Sequence, residues 1–131
     1  FHVPVVFAKK SKSVNIDGAV YVAEVESFTH KCKNQVIVSK KFLHPEDKVL
    51  IIDDFLANGE AAMGASRIIT ESGATLAGIG ILIEKSFQRG RKRLEEAGHR
   101  VYSQARIKRL DAGVIEFLAE DAPVTDVEEN E

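Results

Sequence analysis

The chain has 131 residues, 44% of them hydrophobic and 29% charged, which is enough for one domain with a buried core. Its 18 basic and 20 acidic residues nearly cancel, which excludes bulk electrostatic binding of nucleic acid and leaves room for a local site for a phosphorylated small molecule. A single cysteine, Cys32, rules out an internal disulfide, the four histidines stand too far apart for a shared metal site, and no apolar run resembles a membrane span or a signal peptide, so the chain reads as soluble and cytoplasmic.

Val3 to Ala8 is an apolar run that reads as a strand, with Pro4 near its start where a strand tolerates proline. Because the chain opens inside this run, without methionine or a cap, it reads as a fragment with its upstream part missing. Lys9-Lys10-Ser11-Lys12-Ser13 reads as a polar, basic loop. Ala19 to Phe28 alternates, with Val20, Val22, Val25 and Phe28 among polar neighbours, and Gln35 to Ser39 alternates again. The two predict an antiparallel pair with its turn near His30 to Asn34. After the turn-like His44-Pro45-Glu46-Asp47, the four aliphatics Val49-Leu50-Ile51-Ile52 predict a strand buried on both faces and ended by Asp53-Asp54.

A turn through Asn58-Gly59 leads into a predicted helix. Its apolar stripe is Ala61, Ala62, Ala65, Ile68 and Ile69, and Gly73 is its stop. Leu76 to Ile83 is a second apolar strand, Arg91 to Ala97 a short polar helix closed by Gly98, and Arg100 to Ile107 and Val114 to Leu118 the last strands. Apolar strand, helix, apolar strand, helix, strand is the grammar of an α/β domain with a mostly parallel sheet, here with a small antiparallel flap over residues 19 to 39. Residues 1–119 form the expected domain, and the acidic stretch 120–131, which carries no basic residue, reads as a disordered tail.

The segment from Val49 to Ala62 carries the chemistry. Two carboxylates follow a buried strand at the edge where open α/β sheets bind ligands. The turn after them enters a helix whose first N–H groups lack partners and carry partial positive charge, a ready cradle for phosphate. Small residues at Ala57, Gly59, Ala61 and Ala62 let a phosphate approach the backbone. On spacing alone, the acid pair fits the hydroxyls of a ribose 5-phosphate, a Mg²⁺ ion, or a charge cluster at a helix start. Neither a dinucleotide fingerprint nor a Walker loop is present.

The run Ile51-Ile52-Asp53-Asp54-Phe55-Leu56-Ala57-Asn58-Gly59-Glu60-Ala61-Ala62 resembles the phosphoribosyl-pyrophosphate (PRPP) signature of the type I phosphoribosyltransferases, in the form seen in bacterial xanthine phosphoribosyltransferases. Ala77-Gly78-Ile79-Gly80-Ile81-Leu82-Ile83-Glu84-Lys85-Ser86-Phe87-Gln88 and Val3-Pro4-Val5-Val6-Phe7-Ala8-Lys9-Lys10 are similar to that family as well. The likeness runs from the first residue to about Glu120 and implies that roughly 70 residues precede this point in the family, with much of the purine-covering hood and the first pyrophosphate loop among them.

The resemblance implies a phosphoribosyltransferase fold, a homodimer, and transfer of ribose 5-phosphate from PRPP to xanthine in purine salvage, with Mg²⁺ bound alongside the pyrophosphate. Carried over by position, Asp53 and Asp54 serve the ribose, and Ala57, Asn58, Gly59, Glu60 and Ala61 hold the 5′-phosphate. Lys85 contacts the purine, donating to a carbonyl oxygen and N7; otherwise it pairs with Glu84 or solvent. Phe87 stacks on the base or joins the core. Lys9, Lys10 and Lys12 offset the pyrophosphate or are simply solvated. Glu60 departs from the family's uncharged residue, and a carboxylate so near a phosphate must cap the helix or point to solvent. Arg89, Arg91, Lys92 and Arg93 read as a solvated helix face. The rival is a purine-repressor-like regulator that senses PRPP without catalysis.

Overall fold

The computed structural model describes residues 1–11, 18–27, 32–120 and 122–123. These fall into two compact units, one made of Phe1–Val49 with Met63–Ala77 and the other of Leu50–Ala62 with Gly78–Glu131.

The first unit holds β1 (Lys9–Ser11), β2 (Val20–Ser27) and β3 (Cys32–Ser39), an antiparallel sheet in the order β1-β3-β2. A one-turn 3₁₀ helix, Lys40–Phe42, follows. Ala23 and Val25 of β2 and Val36 and Val38 of β3 are buried together with Leu43 and with Ile68 of helix α1 (Glu60–Ser72). Since side chains alternate along a strand, the covered face of β2 is Tyr21, Ala23 and Val25, and Val20 and Val22 are only half-buried. Gly64 lets α1 approach closely: a Cβ there would stand 2.8 Å from Val25 Cγ2. Gly73 ends the helix in the left-handed region, at φ +79°, with its N–H donating to Thr70 O at 3.1 Å.

The second unit is built on a mostly parallel four-stranded sheet, β4 (Lys48–Leu56), β5 (Thr75–Lys85), β6 (Val101–Asp111) and β7 (Val114–Phe117), in the order β4-β5-β6-β7. β5 and β6 run parallel, with Ile79 opposite Val101 and Lys85 opposite Ile107. β6 and β7 form a hairpin in which Asp111 faces Val114 across Ala112 and Gly113. Helix α2 (Gly90–Glu96) stops where the sequence puts its glycine, with Gly98 at φ +87°. Leu56, Ile79, Ile81, Leu94 and Ile107 are the buried apolar residues of this unit's strands and of α2. Among the described residues no helix is long and apolar enough to cross a membrane.

Four expectations give way. Residues 1 to 8 are not a strand: Phe1, Val3, Val5, Val6 and Phe7 are exposed, since a β-prone run needs a partner edge and finds none among the described residues. The loop at Lys9 is instead β1, whose lysines lie along a sheet edge, a common guard against unwanted pairing. Lys12, His30 and Lys31 of the expected flap turn, and most of the acidic tail lie outside the described residues. The aliphatics of β4 are not buried on both faces, because Leu50 and Ile52 are 55% and 72% exposed. β4 also runs on past the acids to the buried Leu56, so Asp53 and Asp54 sit within the strand and do not end it.

Candidate functional site

Within the second unit, the connections that follow β4 and β5 meet. Asp53 is half-buried and Asp54 exposed. Each carboxylate accepts a hydrogen bond from the next residue's N–H, Asp53 Oδ1 from Asp54 at 2.9 Å and Asp54 Oδ1 from Phe55 at 2.8 Å. These short local bonds fix both side chains beside the backbone just ahead of the turn. Ala57 and Asn58 then bend the chain, Gly59 takes φ +84°, and α1 begins at Glu60. Gly59 is required twice over. A side chain is strained at that φ, and its Cβ would stand 3.0 Å from Gly90 Cα. The first amides of α1, a helix of 13 residues, are the unpaired donors that an anion would use.

On the other connection, Lys85 ends β5 half-buried, and Ser86 to Arg89 lead to α2 with Phe87 39% exposed. Ser86 N–H donates to Ile107 O at 2.9 Å and Gln88 N–H to Lys85 O at 3.0 Å, which fixes the segment carrying both candidate base contacts. Exposure makes Phe87 available for stacking and argues against the core alternative.

The two connections are tied together. Gly90 N–H donates to Ala57 O at 3.0 Å, and Arg93 Nη1 donates to Asn58 O at 2.6 Å. The same Nη1 lies 3.5 Å from Glu60 Oε1, so the carboxylate that looked misplaced beside a phosphate has a cationic partner. Gly90 admits no substitute, because a Cβ would run into Ala57 O and stand 2.8 Å from Leu56 Cδ1.

Behind this edge lies a polar cluster. Glu84, 2% exposed, accepts from Arg91 Nε at 3.0 Å on both carboxylate oxygens and from Arg91 Nη2 at 2.7 Å. Ser103 Oγ donates to it at 2.6 Å and Ser86 Oγ at 3.1 Å. Arg91 also donates to Val101 O at 2.9 Å and to Glu95 at 3.1 Å. Burial pushes the Glu84 carboxyl up, but the hydrogen bonds and charge of Arg91, with the bond from Ser103, outweigh it and leave the group below the usual glutamate range. Burial likewise works against the Arg91 cation, and Glu84 outweighs it and raises that group's pKa.

The expected solvated face of α2 is therefore corrected: the Arg91 side chain is only 11% exposed and Arg93 is engaged with the turn. Glu84 does not pair with Lys85; its contacts go to Arg91 and the two serines, with Arg106 Nε 3.8 Å away. Sequence reasoning passed over Glu84, Gly90, Arg91 and Arg93. The one available signal was an acid at the end of an apolar strand with arginines a few residues further on. Among the described residues no three His, Cys, Asp or Glu side chains gather into a metal cage. The acid pair of β4 nonetheless suits Mg²⁺, which commonly takes one or two carboxylates together with substrate phosphates. Lys9 and Lys10 are exposed on β1 in the first unit.

No family model matches the chain. Over 121 residues it is 53% identical to the xanthine phosphoribosyltransferase of Lacticaseibacillus casei, covering 92% of this chain and 63% of that protein. To the xanthine phosphoribosyltransferase of Shouchella clausii it is 55% identical over 121 residues, covering 92% of this chain and 60% of that protein. The chain thus spans 60 to 63% of the length of these relatives. In structure it is similar to the APRTase of Giardia lamblia complexed with 9-deazaadenine, with a TM-score of 0.67 and 25% identity over 79% of this chain and 57% of that one.

Proposed function

Because the chain is a bacterial xanthine phosphoribosyltransferase-like sequence on a type I phosphoribosyltransferase fold, we propose that the whole protein transfers ribose 5-phosphate from PRPP to N9 of xanthine, giving xanthosine 5′-phosphate and pyrophosphate in purine salvage. The observation that carries this is the acid pair of β4 running directly into the small-residue turn and the start of α1. The 5′-phosphate sits at Ala57, Asn58, Gly59, Glu60 and Ala61, held by backbone N–H groups. Asp53 and Asp54 hold the ribose hydroxyls, and their charge stabilises the positive ribose ring as the bond to pyrophosphate lengthens. Lys85 donates to the purine's carbonyl oxygen and N7, which favours an oxopurine over adenine, and Phe87 stacks on the base. Asp53 and Asp54 would be the residues to share a Mg²⁺ ion bound with PRPP, which would supply positive charge against the leaving pyrophosphate. Most of the acceleration comes from orientation and fixed charge, with no covalent intermediate. A cytoplasmic homodimer completes the reading.

The test is pyrophosphate release by the full-length protein with PRPP and each of xanthine, guanine, hypoxanthine and adenine. Turnover with xanthine supports the reading. PRPP binding without turnover on any base would favour a PRPP sensor in its place.

A further inference from the structure

We propose that Arg93 is a positioning residue for the phosphate turn, aiming its amides and holding Glu60 away from the ligand. This deepens the reading of Ala57 to Ala61 as the 5′-phosphate cradle and rests on it.

The argument comes from the peptide planes. All peptide bonds in the turn are trans, so each carbonyl points opposite to the N–H of the following residue. Ala57 O is held by Gly90 N–H and Asn58 O by the Arg93 guanidinium, so both carbonyls face α2. The N–H groups of Asn58 and Gly59 belong to those same two planes and therefore point away from α2, on the opposite side of the turn. Two adjacent amides aimed the same way form an anion-binding concavity.

Arg93 fixes the second plane with a charge-assisted bond at 2.6 Å, and the Gly59 backbone next to it is seated against Gly90. Its other contact answers the Glu60 problem. With Oε1 3.5 Å from Arg93 Nη1, the Glu60 carboxylate is drawn to the α2 side, so its charge is offset. Without Arg93, Asn58 O loses its donor and the Glu60 charge stands uncompensated beside the cradle. Both changes weaken phosphate binding and leave the purine contacts alone.

The experiment has two arms on the full-length protein. In the first, amide NMR of the wild type is followed on addition of ribose 5-phosphate, and the Asn58 and Gly59 N–H signals are expected to shift. If they do not move, the cradle reading itself fails. In the second, Arg93→Met is expected to raise KM for PRPP by roughly tenfold to a hundredfold, the range for losing a hydrogen bond to a charged group, with KM for xanthine unchanged. A purely structural role would move both constants together. Amides that respond in the wild type combined with an unchanged PRPP constant in Arg93→Met would overturn the assignment to Arg93 and leave the cradle standing. Should Arg93→Met fail to fold, Arg93→Lys carries the test: the shorter reach predicts a smaller rise in KM for PRPP alone, and equal constants would refute it.

Discussion

Glu84→Gln removes one charge from the buried cluster while keeping its shape, and it should be among the most damaging single changes outside the site. At the 2.7 Å separation of Arg91 Nη2 and Glu84 Oε2, the gross attraction is about 6 kcal/mol for an effective dielectric near 20. Much of that only offsets the desolvation of two charges, so the gross figure is not the expected loss. What decides the loss is the state left behind: the Arg91 side chain is 11% exposed and would have no charge to answer it in the buried direction. Breaking a buried pair in this way costs about 3 to 5 kcal/mol. Arg91 keeps its bonds to Val101 O and to the more exposed Glu95, which places the expectation near the lower figure, about 3 kcal/mol. Against a total stability of roughly 5 to 15 kcal/mol, that is a large fraction. Urea unfolding of the full-length protein and its Glu84→Gln variant, with equal slopes, measures the difference. A loss below about 1 kcal/mol, the worth of an exposed pair, would refute the claim that this cluster is buried and mutually dependent.

Acid offers a second view of the same pair. The folded-state pKa of Glu84 is depressed, so its contribution is fully present above the unfolded value near about 4.3 and is lost as pH falls below it towards the folded value. Glu84→Gln should therefore flatten the stability profile in that acid window and nowhere above it, as urea midpoints across pH would show. Gly90→Ala puts a Cβ against Ala57 O and Leu56, and a cost of roughly 3 kcal/mol or more in the same unfolding assay is expected from such overpacking. Lys85→Ala should raise KM for xanthine by the equivalent of roughly 1.5 to 3 kcal/mol with PRPP affinity nearly unchanged. Steady-state kinetics with each substrate varied would show it, and the reverse pattern would remove Lys85 from the purine contacts.

Much of the fold is legible in the residues because local chemistry decides it. Gly73, Gly98 and Gly113 stand where the backbone turns to positive φ, and the stripe of α1 and the apolar run of β5 appear close to where the sequence predicts them. The misses share a cause, since each depends on a neighbour distant in sequence. Phe1 to Ala8 has strand propensity and no partner edge among the described residues, whereas Lys9 to Ser11 lack that propensity and lie beside β3. A continuous aliphatic run cannot tell which face is covered, so the exposure of Leu50 and Ile52 was invisible. At the candidate site, spacing and resemblance single out Asp53, Asp54 and the turn, which local sequence places side by side. They do not single out Arg93, because Asn58 lies 35 residues earlier and nothing local separates a bridging arginine from a solvated one. The same holds for Glu84, whose Ser103 partner is 19 residues away.

The central claim is that this turn and its acids serve PRPP in transfer to an oxopurine, and one comparison of rates tests it most directly. With saturating PRPP and Mg²⁺, the full-length protein should form xanthosine 5′-phosphate with a higher kcat/KM for xanthine than for guanine, hypoxanthine or adenine. Asp53→Asn with Asp54→Asn should abolish turnover while the protein stays folded. Preference for adenine, or undiminished transfer by the doubly substituted protein, would contradict the account.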